Sequence, residues 1–295
     1  VMSATPIPRT LAMVVYGDMN ISIIKQKPAG RKAIKTKAVN TDSLNPIFTF
    51  IAQLLERGDQ AYIVAPRIDD NDEGDEIERY DSLFELEKDK IETYSVKGIQ
   101  KAIKASPILA NYKADILNGS MSDSDKEKVM NKFISGKTHI LISTTVVEVG
   151  VNNPNATCMV IMDSDRFGLS TLHQLRGRVG RGDKQSYCIL ATSTKNELAL
   201  ERLKIMCASD DGFELAEKDL ALRGPGDFFG TRQHGLPKFK VVNIFDDAEK
   251  SVKVREAMVN VIENDDEDED FIYISTHLQE DEQTTKNTTT PNKRR

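Results

Sequence analysis

The segment His173-Gln174-Leu175-Arg176-Gly177-Arg178-Val179-Gly180-Arg181-Gly182 concentrates three arginines and three glycines in ten residues. A guanidinium presents a planar fork of donors that meets phosphate oxygens two at a time and keeps its charge at neutral pH, while glycine lets backbone approach a ligand closely. The chemistry this implies is recognition of a phosphate group. Read at helical spacing, Arg178 and Arg181 stand three apart on one helix face. Gln174 lies one turn before Arg178 on that face, and Arg176 points elsewhere and serves structure. The rest of a nucleoside triphosphate site is missing from the sequence. Gly136-Lys137-Thr138 imitates the end of a phosphate-binding loop, but such a loop needs a glycine five positions before Gly136, where Asn131 stands in a helical stretch. Gly136 is expected to cap that helix instead.

The elements that must position these residues read as alternating strand and helix. Short apolar runs predict strands at Ile34–Val39, Ala61–Ala65, Asp115–Leu117, His139–Ser143, Cys158–Met162 and Ser186–Ala191. Helical periodicity between them predicts helices at Pro46–Arg57, Val96–Tyr112 and Ser122–Ser135, with Ser122 as N-cap and acids in the first turn. His-Ile-Leu-Ile-Ser and Cys-Met-Val-Ile-Met are continuously apolar, the pattern of strands covered on both faces, so the expected fold is α/β with a parallel sheet and helices on both sides. In such sheets ligands bind beyond the carboxyl ends of the strands. Thr144-Thr145, Asp163-Ser164-Asp165-Arg166 and the arginine run are expected there. Helical segments follow at Asn196–Ala208 and Gly212–Leu222, then a Gly/Pro-rich run from Arg223 to Pro237 and a further helix within Asp247–Glu263.

Composition narrows the class. With 295 residues, 39% of them hydrophobic, the chain has enough material for a real core. No apolar run approaches a membrane span, and the N-terminus does not read as a signal peptide. Three widely spaced cysteines and four scattered histidines give neither a disulfide framework nor metal-ligand spacing, which fits a reducing cytoplasm and no structural metal. The net charge of -6 is uneven. The tail from Glu263 holds ten acids and four bases, and Asp69–Glu92 holds twelve acids and three bases, so the remaining body is basic enough to face nucleic acid. The acidic stretch reads as a solvent-facing insertion and the tail as disordered.

Several of these segments coincide in one order, and the chain resembles a superfamily 2 helicase of the RecG type. Ser3-Ala4-Thr5-Pro6-Ile7-Pro8-Arg9-Thr10 is similar to motif III, Thr144-Thr145-Val146-Val147-Glu148-Val149-Gly150-Val151 to motif V, and His173–Gly182 to motif VI. Leu222-Arg223-Gly224-Pro225-Gly226-Asp227-Phe228-Phe229-Gly230-Thr231-Arg232-Gln233-His234-Gly235 resembles the segment that comes after the motor in that family, where a helical hairpin and loop turn domain movement into translocation on duplex DNA. The resemblance covers residues 1–240, and it implies a RecA-like parallel sheet followed by a helical translocation appendage.

The implied organisation has a motif III segment and lead-in at 1–45, and a second RecA-like helicase domain at 46–193 that carries the acidic insertion. A helical hairpin and translocation loop occupy 194–245, a C-terminal helix 246–262 and the tail 263–295. By resemblance Arg178 and Arg181 act as arginine fingers on the γ-phosphate, with Gln174 sensing the nucleotide. Gly150 and Asn152 lie at the nucleotide, although the family's usual aspartate is replaced by Asn152, an amide that contacts ribose without charge. Ser3, Thr5, Arg9, Thr144, Thr145, Arg223, Arg232 and Gln233 bind DNA or couple to it. Thr144 and Thr145 have capping the next turn as their plain alternative, Gly224-Pro225-Gly226 has a tight surface turn as its own, and Glu148 is a candidate partner for a motif VI arginine.

The resemblance further implies ATP with Mg2+, bound mainly by an upstream RecA-like domain, together with a wedge domain and branched or duplex DNA as partners and no membrane. The intact protein is then a cytoplasmic ATP-dependent DNA helicase that remodels stalled forks and Holliday junctions. A chain that starts at Val1, inside a motif, and lacks the Walker loop is expected to be inactive alone. A transcription-repair coupling translocase and a non-catalytic nucleic-acid-binding module remain as alternatives.

Overall fold

The computed structural model of the chain describes residues 32–69, 94–148 and 153–223, with Lys253 and Ala257 besides. Every element named below lies in one compact unit; Lys253 and Ala257 belong to a second. The first unit is built on a six-stranded sheet of β1 (Lys35–Asn40), β2 (Gln60–Val64), β3 (Ala114–Leu117), β4 (Ile140–Ser143), β5 (Ala156–Ile161) and β6 (Tyr187–Thr192). Every pairing is parallel, and the order across the sheet is β1-β6-β5-β2-β4-β3.

The uninterrupted apolar strands make sense once both faces are seen. Along β2, Ala61 and Ile63 enter one core while Tyr62 and Val64 enter the other. The first core is closed by α1 (Asn45–Leu55) and α2 (Val96–Ala105), through Ile47, Phe48, Ile51, Ile99 and Ile103. Phe133 of α3 (Asp123–Ile134), Leu172 and Leu175 of α4 (Leu169–Arg176) and Leu203 and Met206 of α5 (Glu197–Ala208) enter the second. Leu215 of α6 (Gly212–Arg223) joins them there.

Local chemistry sets the ends of the helices. Ser122 caps α3 by accepting the Asp125 N–H at 3.2 Å. Gly136 ends the same helix at φ 75°, with the Gly136 N–H on the Phe133 carbonyl at 3.1 Å and the Lys137 N–H on the Lys132 carbonyl at 2.9 Å. That is the paired-bond C-terminal turn expected of a helix-ending glycine, and no phosphate loop. The helix expected to run to Tyr112 stops at Ala105, because Pro107 forces the residue before it out of helical geometry. Ser106 accordingly sits at φ -78°, ψ 125°.

Candidate nucleotide and nucleic-acid interfaces

The arginine run departs from the expected helix. Leu169, Leu172 and Leu175 anchor α4 in the second core, but the helix ends at Arg176 and Gly177 caps it. Arg178 and Arg181 therefore do not share a helix face with each other or with Gln174. Tight turns take over, with the Arg178 N–H on the Leu175 carbonyl at 3.0 Å and the Val179 N–H on the Arg176 carbonyl at 3.3 Å. Gly180 then reverses the chain at φ 74°, a conformation no right-handed helix contains. A Cβ at Gly180 would lie 2.9 Å from Cγ1 of Ile34, so space as well as backbone demands glycine there.

This loop sits at the amino ends of the strands, opposite the edge at which ligands were expected. Lys184 Nζ pairs with Asp59 Oδ1 at 2.6 Å, Gln185 Nε2 donates to the Ala33 carbonyl at 2.8 Å, and a Cβ at Gly182 would meet the Pro154 carbonyl at 3.0 Å. Asp59, Ala33 and Pro154 each lie just before β2, β1 or β5. The reason is directional. Starting beyond the carboxyl end of β5, the eight residues of α4 run back along the sheet for roughly 12 Å at 1.5 Å per residue.

The three arginines have different surroundings. Arg176 is 2% exposed, and its Nη1 donates to the Met206 carbonyl at 2.9 Å and the Ser209 carbonyl at 2.8 Å, with Asp210 Oδ1 at 3.2 Å. It fastens α4 to the turn after α5, as its structural reading required. Arg178 and Arg181 are half-buried, and the positive charge of each acts on the phenol of Tyr62. Burial pushes that phenol up to about 12, against the pull of Arg181 and then Arg178. Arg181 Nε donates to the Gly177 carbonyl at 3.3 Å. The Nε of Arg178 is buried with no hydrogen-bond partner among the described residues, an orphaned donor of the kind an arriving anion satisfies. Gln174 is half-buried on α4.

A buried amide relay beside this loop escaped sequence reasoning. Gln60 Nε2 donates to the carbonyls of Phe133 and Thr138, both at 2.6 Å, and its Oε1 accepts from Asn153 Nδ2 at 3.1 Å. It fixes the end of the motif V segment to the start of β2. A polar residue opening an otherwise apolar strand was the available signal. Gly150 and Asn152 lie outside the described residues, as does the side chain of Glu148.

At the carboxyl edge, Thr144 and Thr145 follow β4 half-buried, and among the described residues their hydroxyls make no hydrogen bond. Capping falls to backbone, the Thr144 carbonyl receiving the Val147 N–H at 3.5 Å. Asp163 and Arg166 follow β5, and Arg67 follows β2. Ser3, Thr5, Arg9, Arg232 and Gln233 lie outside the described residues; Arg223 ends α6, and its side chain is likewise outside them. Among the described residues no three His, Cys, Asp or Glu side chains converge on a metal position, and no helix is long and apolar enough to cross a membrane.

Comparison with known proteins gives this arrangement its relatives. Residues 47–183 match the helicase conserved C-terminal domain, and residues 209–288 match the C-terminal part of domain 3 of the ATP-dependent DNA helicase RecG. RecG of Bacillus subtilis is 46% identical over 267 residues, which is 90% of this chain. The chain belongs to the RecG helicase family. RecG of Staphylococcus epidermidis is likewise 46% identical, over 264 residues and 89% of the chain. A solved structure of RecG bound to a three-way DNA junction superposes with a TM-score of 0.63 at 38% identity, covering 87% of this chain and 30% of that one. The sheet and its helices are thus the RecA-like fold of the RecG motor. The chain spans 36% of the length of the two curated RecG relatives, and the arginine loop falls within the matched helicase domain.

Proposed function

We propose that the chain is the C-terminal motor part of an ATP-dependent DNA helicase that remodels branched DNA, acting in the cytoplasm beside an upstream RecA-like domain and a wedge domain of the same protein. The observation that carries this reading is the placement of the loop bearing Arg178 and Arg181 at the amino edge of a sheet whose own sequence has no Walker loop. Phosphoryl transfer needs little covalent chemistry but strong stabilisation of charge on the transferred group, and a cation delivered from a second domain supplies it only on closure. ATP with Mg2+, held mainly by the upstream domain, provides the transferable phosphoryl group. Arg181 and Arg178 face its γ-phosphate, the orphaned Nε of Arg178 supporting that fit. Gln174 orients the nucleotide, and Gly150 and Asn152 border its ribose. Thr144 and Thr145 serve DNA at the opposite edge with Ser3, Thr5 and Arg9, while Arg223, Arg232 and Gln233 couple movement to translocation. The family's junction-bound structure supports branched DNA as the partner.

In the intact enzyme, Arg181→Ala should lower DNA-stimulated ATP turnover by about 10³-fold, the lower end of an arginine finger's contribution. The 295-residue chain alone should turn over no ATP. Near-wild-type turnover in Arg181→Ala, or hydrolysis by the purified chain, overturns the reading.

A further inference from the structure

Two consecutive side chains at the amino end of β2 each hold one of the two segments assigned to the nucleotide. The buried Asp59 carboxylate pairs with Lys184 Nζ at 2.6 Å, just past the arginine loop. The Gln60 Oε1 accepts from Asn153 Nδ2 at 3.1 Å, and Asn153 directly follows Gly150, Val151 and Asn152 in sequence.

The backbone under these two side chains is itself fixed. Gly58 turns the chain out of α1 at φ 78°, and the Asp59 N–H returns to the Leu54 carbonyl at 3.2 Å. The Gln60 N–H meets the Asn155 carbonyl at 2.8 Å, beside a shift in the register of β2 against β5. Gln60 Nε2 commits both of its N–H groups to carbonyls where α3 ends, those of Phe133 and Thr138. An amide whose two donors are taken in this way presents its oxygen in one direction only, toward Asn153. Asn153 is oriented from its own side as well, its Oδ1 accepting the Asn155 N–H at 3.1 Å. Both amides are buried, so neither half of their bond has water to replace it. The ion pair is different: the Lys184 side chain is 43% exposed, and such a pair adds little to stability. Its consequence lies in where it holds the loop. The two held segments also meet directly, since a Cβ at Gly182 would lie 3.0 Å from the Pro154 carbonyl.

We propose that Asp59 and Gln60 form a clasp that sets the spacing of the two nucleotide-facing segments, Gln60 positioning the end of the motif V segment through Asn153 and Asp59 positioning the arginine loop through Lys184. The proposal rests on the nucleotide reading of these segments and deepens it, by naming positioning residues outside the motifs. The two arms have different kinetic consequences. Contact with ribose is made equally in the ground and transition states, so loosening the Asn153 arm raises KM. The arginines act on charge that is greatest in the transition state, so loosening the Lys184 arm lowers kcat.

The test is steady-state ATP turnover by the intact enzyme on a saturating three-way junction. Asn153→Leu, close in shape and without the donor, should raise the KM for ATP about tenfold, one hydrogen bond's worth of binding, with kcat kept within about twofold. Should that variant fail to fold, Asn153→Ala is measured in its place, with the same rise expected. Adding Asn153→Leu to Gln60→Met, which already lacks the bond, should raise KM no further. Lys184→Met should lower kcat by about 10- to 100-fold, the effect of a displacement on the ångström scale, at unchanged KM. Lys184→Arg keeps the charge beside Asp59 and should restore kcat. Either split missing in a folded variant, the two parameters moving together, or additive effects at Gln60 and Asn153 overturns the proposal. Failure of the nucleotide reading shows elsewhere, as undiminished ATP turnover in Arg181→Ala.

Discussion

Arg176 is the member of the arginine run whose loss should register in stability instead of chemistry. Its Nη1 reaches two carbonyls, of Met206 at 2.9 Å and Ser209 at 2.8 Å, and both residues are buried. Arg176→Ala removes two hydrogen bonds from a charged donor, each contributing about 1.5–3 kcal/mol, and leaves both acceptors without that partner. It also frees Asp210 from its ion pair, although the Asp210 side chain is 35% exposed and keeps water. Together the two lost bonds are expected to destabilise by about 4 kcal/mol. At about 2–4 °C per kcal/mol for a domain of this size, the Tm should fall by about 8–16 °C, read by circular dichroism on the 295-residue chain. Arg181→Ala, at a half-buried site, should shift it by no more than about 3 °C. Arg176→Lys, which restores charge without the planar fork, should fall between the two. A Tm for Arg176→Ala within about 3 °C of the parent, or above that of Arg181→Ala, would refute the division of labour among the three arginines.

Burial raises the Asp163 carboxyl to about 6, helped by Asp165 and opposed by the Tyr94 N–H and by Arg166 and Arg67. Below about pH 4 it is neutral whether the chain is folded or not; between 4 and 6 only the unfolded chain loses the proton, so its contribution to stability falls as pH rises and is fully lost above about 6. Asn tolerates positive φ and keeps an acceptor for Tyr94, so Asp163→Asn should be more stable than the parent at pH 8 by up to about 3 kcal/mol. In urea titrations that advantage should shrink to nothing near pH 4, and a pH-independent difference would show that ionisation of Asp163 is not its source. Gly180 and Gly136 share a left-handed backbone at φ 74° and 75°, but a Cβ at Gly136 meets nothing within 4 Å whereas one at Gly180 strikes Ile34. Gly136→Ala should lose about 1–2 kcal/mol and Gly180→Ala about 1–3 kcal/mol more, with Ile34→Ala recovering part of the excess; equal losses would mean the loop makes no close contact there.

All six strands fall within two residues of their expected ends; β2, β4 and β5 are short apolar runs buried along their whole length, and a strand covered on both faces needs nothing else. The caps at Ser122 and Gly136 were equally legible, being local chemistry. The arginine loop was not. Its spacing of four from Gln174 to Arg178 and three from Arg178 to Arg181 satisfies a helix, but the helix ends at Arg176 with Gly177 as its cap, and Gly180 then turns back to pack against Ile34, far off in sequence. Asp163 was visible as a residue following a strand, but its bond to Tyr94 spans 69 positions, and no periodicity reports a partner so distant. Gln60 raises the same difficulty, since its partners Phe133, Thr138 and Asn153 come from three other segments.

The unexpected edge for the arginine loop bears on how such a motor works. Were the nucleotide-facing arginines and the DNA-facing groups both beyond the carboxyl ends, the two ligands would compete for one surface. Under the proposed function they lie instead at opposite edges of one sheet: Arg178 and Arg181 at the amino edge, their charges acting on Tyr62 of β2, and Thr144 and Thr145 beyond the carboxyl end of β4, the strand paired with β2. A five-residue strand is about 17 Å long and stiff, because it is hydrogen-bonded to neighbours on both sides. Under the proposed function, a closure that tilts the sheet by about 11° about its amino edge carries the carboxyl edge by about 3.4 Å, one nucleotide's rise along DNA. Coupling of this kind requires no chain of switching side chains between the two sites. It requires only that the sheet move as a rigid body, and a sheet with both faces packed is built to do that.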